Sequence, residues 1–241
     1  MDETVSRLGV KALTFDVFGT VVDWRTCVAR EAQAMLSTLG YQLDWGRFAD
    51  RWRDRYRPAM AQVISGARPF VILDVLHREN LDGLLEEFGV KGLTEAQIDN
   101  LNLAWHRLDP WPDSVVGLTR LKRKFTLATL SNGNIALLVA MAKRAGLPWD
   151  VILGAEVSGV YKNAPQSYDR TAHFLQLRPQ DCLMVAAHPH DLVSAAERGF
   201  RTAYVHRPLE FGPEHVVEHP APGTFDLMVR DFEALAVALG S

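Results

Sequence analysis

The sequence predicts an α/β fold built on a doubly wound parallel sheet. Short apolar or β-branched runs recur along the chain, with amphipathic helical stretches between them. These runs are continuously apolar rather than alternating, which is typical of parallel strands buried on both faces. The regular alternation of strands and helices favours a doubly wound sheet. With 241 residues, of which 48% are hydrophobic, the chain can bury a full core.

The elements of this sheet can be assigned in order along the chain. Helical periodicity predicts helices over 135–146 and 191–200, and each ends at or beside a glycine, which is a helix-stop signal. The predicted strands, of which the last is the weakest, are 10–16, 125–131, 151–156, 182–187, 201–206 and 225–229.

The stretch from about Trp24 to Trp111 interrupts this alternation and contains no predicted strand. It offers four amphipathic helical segments instead, at 27–40, 45–64, 71–89 and 94–108. The returning segment LDPWPDS is rich in proline and aspartate and is typical of a hinge. We therefore expect one domain formed by 1–22 and 112–241, with a helical lid domain of 23–111 inserted after the first strand.

Composition excludes several classes of protein. The formal net charge is -3, and no basic stripe suggests a nucleic-acid partner. Cys27 and Cys182 lie in apolar surroundings and are typical of buried thiols rather than of a disulfide framework. The opening MDETVSRLG lacks the apolar core of a signal peptide, and no apolar segment reaches the roughly 20 residues that span a bilayer. We expect a cytoplasmic protein without a membrane partner.

Polar side chains follow the predicted strands at their carboxyl ends, where open α/β sheets bind their ligands. One carboxylate, several small polar groups, a lysine and a second carboxylate should meet at this edge. A strand-terminal aspartate such as Asp16 can also be a simple turn cap. The other polar residues expected at the same edge favour a role as nucleophile instead. In chain order these residues are Asp16, Gly19, Thr20, Ser131, Asn132, Lys162, Tyr168, His188 and Asp191.

Four segments carry a resemblance to a known family. DVFGT, LSNGN, Tyr161–Lys162 with Tyr168, and VAAHPHD resemble the four motifs of the haloacid dehalogenase superfamily, in its type II (L-2-haloacid dehalogenase) branch. The resemblance covers essentially the whole chain, because the helical insertion also matches that branch's cap. It implies a Rossmann-like core with an inserted helical cap and hydrolytic removal of halide from small 2-haloalkanoic acids. It also implies no cofactor, and it suggests a homodimer.

The choice of branch follows from two positions. Phosphatases of the superfamily use a second acid two residues after the nucleophile and bind Mg²⁺ partly through an acid in the last motif. This chain has Phe18 and Ala187 there. Halide leaves as an anion without needing a proton, so both residues favour a metal-independent dehalogenase over a phosphatase acting on a small phosphorylated metabolite. A non-enzymatic scaffold would show broken motifs, whereas the catalytic positions are filled here.

The resemblance assigns roles to the motif residues. Asp16 would attack the substrate carbon with inversion, displacing halide and forming an ester with the enzyme. Water would then attack this ester with Asp191 as base, releasing a 2-hydroxy acid. Lys162 would hold both carboxylates ionised. Thr20 and Ser131 would hydrogen-bond Asp16 or the substrate carboxylate, although ordinary turn bonding is the alternative for both.

Substrate and halide binding are assigned in the same way. Arg53 matches the family's cap arginine, which receives the leaving halide; spacing alone would also allow a solvated helix face for it and its three neighbouring arginines. Asn132 would share the halide, Phe18 would form apolar wall, and Tyr168 would orient Lys162 or the second carboxylate.

Two positions depart from the family pattern. His188 stands where the family commonly has asparagine. Either it is a tolerated substitution, or it tightens the halide or water site and permits release of fluoride from fluoroacetate. On the second hypothesis, replacing it with asparagine costs fluoroacetate turnover more than chloroacetate turnover. Asn163 stands where proline is usual, which we expect to loosen the loop that carries Lys162.

Overall fold

Five parallel strands form the central sheet of the computed structural model, which describes residues 8–241. Across the sheet they lie in the order β4 (Thr126–Thr129), β1 (Ala12–Phe15), β5 (Cys182–Ala186), β6 (Arg201–Val205) and β7 (Leu227–Val229). The α/β fold predicted from the sequence is confirmed, and residues 1–7 of the predicted 1–22 segment lie outside the described part.

The predicted strand at 151–156 is wrong. Only Val151 pairs with the sheet, through one bridge to Ala128, and the chain then turns into a short 3₁₀ helix. A Cβ at Gly154 would lie 2.5 Å from the Gly133 carbonyl oxygen. This apolar run is therefore buried by packing beneath the loop after β4, and not by strand pairing.

Helices cover both faces of the sheet. Along β5, Leu183 and Val185 belong to one hydrophobic cluster, while Cys182, Met184 and Ala186 belong to the other. Successive side chains of a strand point to opposite faces, so burial on both faces explains the unbroken apolar runs in the sequence. The helices of this part are α6 (Ser114–Leu121), α7 (Ile135–Ala145), α8 (Pro165–Phe174), α9 (Pro189–Glu197) and α10 (Phe232–Ala238).

The interruption after β1 is helical, as predicted, but its second predicted helix is broken into two. The break falls at Arg55, and Pro58 lies in the first turn of the helix that follows. Proline has no N–H to donate, so it is tolerated in a first turn and disfavoured inside a continuous helix. The helices are α1 (Trp24–Leu36), α2 (Trp45–Asp54), α3 (Tyr56–Ile64), α4 (Leu73–Glu87) and α5 (Glu95–Asn102).

A two-stranded ribbon marks both ends of the helical segment. Val22–Asp23 (β2) pairs antiparallel with Asp109–Pro110 (β3), inside the stretch where no strand was predicted. Two residues are too few to show a hydrophobic period in the sequence. None of the helices in the described 8–241 range is both long and apolar enough to cross a membrane.

Packing of α6 against α10 gives a stability prediction. A Cβ at Gly117 would lie 2.4 Å from the Phe232 Cβ, so Gly117→Ala should overpack this contact and lower the free energy of unfolding by about 1–3 kcal/mol. Gly83 is the matched control: it is also inside a helix, and its nearest neighbour would lie 3.9 Å away. Gly83→Ala should be neutral or stabilising by up to about 1 kcal/mol. Urea unfolding of both variants tests this; equal effects would contradict it.

Candidate active site

The predicted polar residues meet at one edge of the sheet. Asp16 directly follows β1, the central strand of three. Asn132 follows β4 on one side, and His188 follows β5 on the other. Because the three strands are parallel neighbours, their carboxyl ends bring these loops together.

Asp16 is a buried carboxylate surrounded by donors. Lys162 Nζ donates to its Oδ1 at 2.8 Å, and Thr20 Oγ1 donates to its Oδ2 at 2.7 Å. His188 Nδ1 lies 3.0 Å from the same Oδ2. Burial by itself would raise the pKa of Asp16, but the Lys162 charge and the contacts with His188 outweigh it and hold the pKa well below its usual range. Asp16 is therefore ionised at neutral pH.

Lys162 joins Asp16 to a second carboxylate. Its Nζ lies 2.5 Å from Asp191 Oδ2, and the Tyr168 hydroxyl donates to Asp191 Oδ1 at 2.6 Å. Burial would lower the pKa of Lys162, yet the two carboxylates raise it above its ordinary value. The amide of Asn163 donates to the Tyr168 hydroxyl at 3.3 Å and to a backbone carbonyl at 3.2 Å. These bonds anchor the loop that we expected to be loose.

His188 has a partner that was not predicted. Its Nε2 lies 2.9 and 3.1 Å from the two carboxylate oxygens of Glu210, which is 2% exposed and also accepts from Trp24 Nε1. Gly19 makes room for this carboxylate, since a Cβ there would lie 2.0 Å from Glu210 Oε1. Burial would lower the pKa of His188, but Glu210 and Asp16 raise it to about 10. Glu210 lies in the loop after β6, so it also follows the carboxyl end of a strand, where ligand-binding residues are expected.

A cavity with a volume of about 210 Å³ opens onto Asp16. At its rim, Arg57 Nη2 lies 3.5 Å from His190 Nε2. The Asn132 side chain is fixed in the wall because its Oδ1 accepts from the Lys162 N–H at 2.7 Å. The lining residues are Asp16, Phe18, Arg53, Tyr56, Arg57, Met60, Ala61, Ile64, Asn132, Lys162, Asn163, His188, His190 and Asp191.

Arg53 reaches the cavity from α2 and lies among aromatic rings. Its guanidinium carbon is 4.2 Å from the centre of the Tyr56 ring, 5.4 Å from Trp24 and 5.9 Å from Phe18. Its Nη1 is buried without a hydrogen-bond partner in residues 8–241. A buried guanidinium N–H without an acceptor is suited to an anionic ligand. Tyr56, which the sequence did not single out, is buried and lines the same cavity as Asn132.

Three predicted site residues do not line the cavity. Thr20 acts through Asp16, and Tyr168 acts through Asp191. Ser131 accepts from the Gly133 N–H at 3.1 Å, which is the turn bonding given above as its alternative. Within the described residues, no group of three or more His, Cys, Asp or Glu side chains is arranged to hold a metal ion.

Comparison with known proteins agrees with this geometry. The family model for haloacid dehalogenase-like hydrolases matches residues 10–199. The chain belongs to this family. A crystal structure of a defluorinating L-2-haloacid dehalogenase superposes with a TM-score of 0.94 at 46% identity, covering 96% of both chains. A second L-2-haloacid dehalogenase structure superposes with a TM-score of 0.91 at 43% identity, covering 96% of this chain and 99% of the other.

The curated relatives include a dehalogenase and a phosphatase, the two enzyme classes that the sequence analysis compared. (S)-2-Haloacid dehalogenase 1 from a Pseudomonas species (strain CBS-3) is 29% identical over 216 residues, covering 82% of this chain and 85% of the relative. A phosphoglycolate phosphatase from Neisseria meningitidis is 26% identical over 200 residues, covering 79% of this chain and 77% of the relative. The predicted superfamily is confirmed.

The buried charge pairs give a second prediction. Lys162→Met removes the cation that joins Asp16 to Asp191, and should lower the free energy of unfolding at neutral pH by about 3–5 kcal/mol. In the variant the pKa of one carboxyl rises, so acid protonates it in the folded state and the deficit shrinks as the pH falls.

Lys11→Met is the control, because the Lys11 side chain is 64% exposed and lies 3.8 Å from Asp181. It should cost less than about 1 kcal/mol. Urea unfolding at several pH values tests both variants. A deficit of Lys162→Met that stays constant or grows with acid would contradict the assignment.

Proposed function

We propose that this protein is an L-2-haloacid dehalogenase that hydrolyses short 2-haloalkanoic acids, fluoroacetate included, through an aspartyl ester. The observation that carries the proposal is one cavity that contains both an ionised carboxylate, Asp16, and a buried guanidinium N–H of Arg53 with no described acceptor. The first suits a nucleophile and the second suits a departing anion. The 46% identical structure is named a defluorinating enzyme, which supports fluoroacetate as a substrate.

The hydrogen bonds of Asp16 indicate which oxygen attacks. Within residues 8–241, Oδ2 has hydrogen-bond contacts with Thr20 and His188, whereas Oδ1 has one, with Lys162. Each carboxylate oxygen has two lone-pair sites, so Oδ1 keeps one free for attack. Its electron pair forms the new carbon–oxygen bond while the carbon–halogen bond breaks and halide departs with the bonding pair. Asp16 thereby becomes a neutral ester.

The halide is received by groups that gain strength as its charge develops. Arg53 supplies a fixed cation in an aromatic surrounding, where water competes poorly for the anion. Asn132 and Tyr56 lie in the same cavity wall and carry polar groups that hydrogen-bond a halide. In this arrangement the leaving halide lies near the helical segment, and the nucleophile lies in the sheet loops.

Hydrolysis of the ester needs a base for the attacking water. We propose Asp191, which lines the cavity and is 3% exposed. The water oxygen adds to the Asp16 carboxyl carbon, the bond from that carbon to Oδ1 breaks, and the hydroxy acid leaves with the old Oδ1. One water proton ends on the product hydroxyl and the other is released to solvent.

The phosphatase alternative lacks its proton donor. Phe18 lies in the cavity at the position of the second acid, and a phenyl ring cannot protonate a leaving oxygen. Ala187 occupies the position of the metal-binding acid, and its N–H donates to Thr20 Oγ1 at 2.9 Å. Both positions support carbon–halogen cleavage, although phosphatases are among the relatives.

Three further properties are part of the proposal. The helical segment 23–111 serves as a cap that brings Arg53 and Tyr56 to the site. Exposed apolar residues on its helices, such as Val75 and Leu103, support a homodimer. In the described part of the chain Cys27 and Cys182 are both free, as expected of a cytoplasmic protein. The mass of the protein in solution and its location in fractionated cells decide the last two.

Halide release tests the activity. Wild-type protein should release halide from chloroacetate, L-2-chloropropionate and fluoroacetate in the presence of EDTA, and it should not act on D-2-chloropropionate. Asp16→Asn should abolish release, because an amide is a far weaker nucleophile than a carboxylate. Magnesium-dependent release of phosphate from phosphoesters, without halide release from any haloacid, would contradict the proposal and favour the phosphatase alternative.

Oxygen labelling tests the ester. In a single turnover in H₂¹⁸O with excess enzyme, the heavy oxygen should enter Asp16 and the product hydroxyl should stay unlabelled, because that hydroxyl oxygen comes from the aspartate. Mass spectrometry of the peptide containing Asp16 measures this. Label in the product after the first turnover would mean direct attack by water.

A further inference from the structure

His188 lies between two carboxylates, and this placement fixes its protonation. Nδ1 faces Asp16 Oδ2 at 3.0 Å, and Nε2 faces Glu210 Oε1 at 2.9 Å. A neutral imidazole carries a proton on one nitrogen and a lone pair on the other. Either neutral tautomer would turn a lone pair towards a carboxylate, so only the imidazolium satisfies both neighbours. With both N–H groups engaged, no free donor remains for a halide, and the fluoride-binding role suggested by the sequence is not supported.

We infer that His188, held as an imidazolium by Glu210, acts with Thr20 as the oxyanion hole for hydrolysis of the Asp16 ester. This inference rests on the proposed function and assigns its second step. His188 is then a catalytic cation that touches a reacting oxygen, and Glu210 is a positioning residue that acts through it.

The geometry follows from the oxygen that attacks. After Oδ1 has been alkylated, Oδ2 is the ester carbonyl oxygen, 2.7 Å from Thr20 Oγ1 and 3.0 Å from His188 Nδ1. Addition of water to the carboxyl carbon moves an electron pair onto Oδ2. Donors of an oxyanion hole lie about 2.7–3.1 Å from that oxygen. When the pair returns, the bond to the alkylated oxygen breaks and the hydroxy acid leaves, while His188 keeps its proton throughout.

Glu210 becomes decisive once the ester has formed. Alkylation removes the negative charge of Asp16, so Glu210 is then the remaining carboxylate in contact with His188 in the described chain. Glu210 is itself fixed by Trp24 Nε1 at 3.1 Å and lies in the space left by Gly19. Of the other titratable groups nearby, Lys162 is bound to the acids Asp16 and Asp191, and the His190 ring centre lies 5.7 Å from that of His188.

Next to two anions, His188 stays charged over the neutral range, and its pKa of about 10 agrees with this. Arg57, whose Nη2 lies 3.5 Å from His190 Nε2, is a further cation at the cavity rim, and a nearby positive charge disfavours an imidazolium. For His190, burial and the neighbouring His188 charge lower its pKa, which keeps that second imidazole neutral. A neutral His190 adds little repulsion, so Glu210 is free to hold the proton on His188.

Chloroacetate and fluoroacetate form the same glycolyl ester, and this gives a sharp test. In His188→Asn, single-turnover halide release from chloroacetate should change little, because Asp16 keeps its bonds to Lys162 and Thr20, while ester hydrolysis falls about 100-fold. The glycolyl adduct on Asp16 should then accumulate and be seen by mass spectrometry. A larger loss in halide formation than in hydrolysis, or a greater loss with fluoroacetate than with chloroacetate, would overturn the inference in favour of a halide-binding role.

Glu210→Gln tests the positioning role through a pH profile. Wild-type kcat should fall at alkaline pH as His188 loses its proton, and this limb should lie below pH 10, because the pKa of about 10 includes the Asp16 charge that the ester has lost. Removing the charge of Glu210 should move this limb to lower pH and leave halide formation nearly unchanged. Glu214→Gln is the matched control, since Glu214 is an exposed acid of the same loop. Identical profiles for the two variants would overturn the role of Glu210.

A measurement on the wild-type protein keeps the inference testable if a variant fails to fold. Nitrogen NMR of the imidazole rings at about pH 8, above the ordinary histidine pKa, should show His188 with both nitrogens protonated. A neutral His188 there would overturn the oxyanion role. Failure of the proposed function would look different, because wild-type protein would then release no halide from any haloacid.

Discussion

A buried carboxylate at the end of β1 determines much of the rest of the site. An isolated charge in the interior is costly, so Asp16 needs cations beside it, and it has Lys162 and His188. Each of these cations would be as costly alone. Lys162 is therefore paired with Asp191, and His188 is paired with Glu210. The result is a row of alternating charges with the nucleophile at its centre, in which removing one member leaves a neighbour uncompensated.

The parallel sheet makes this row possible. Asp16 follows the central strand of three neighbours, so loops from both sides reach it. Lys162 and Asp191 arrive through the loop before α8 and the first turn of α9. Glu210 comes from the loop after β6 and approaches closely because Gly19 has no Cβ. Backbone geometry and charge pairing therefore support the same arrangement.

The chemistry follows from the polar groups of Asp16 and Arg53 that have no described hydrogen-bond partner. The described donors on Asp16 leave a lone pair of Oδ1 without a partner, and the helical segment adds a guanidinium N–H of Arg53 without a described acceptor. A nucleophile and an anion site in one small cavity suit displacement of a halide. Phe18 supplies apolar wall where a phosphatase would need an acid. The same fold thus serves carbon–halogen cleavage through changes at a few positions.

The sequence by itself determined the α/β fold, the helical insertion and the residues at the strand ends, because these depend on local hydrophobic period and on the carboxyl-edge rule. It therefore placed Asp16, Lys162 and Asp191 together. Only the tertiary structure paired His188 with Glu210 and brought Tyr56 beneath Arg53, since those contacts join segments whose separation carries no local pattern. The strand prediction for the apolar run at 151–156 was wrong for the same reason. Its burial comes from packing under a loop, which no periodicity distinguishes from a buried strand.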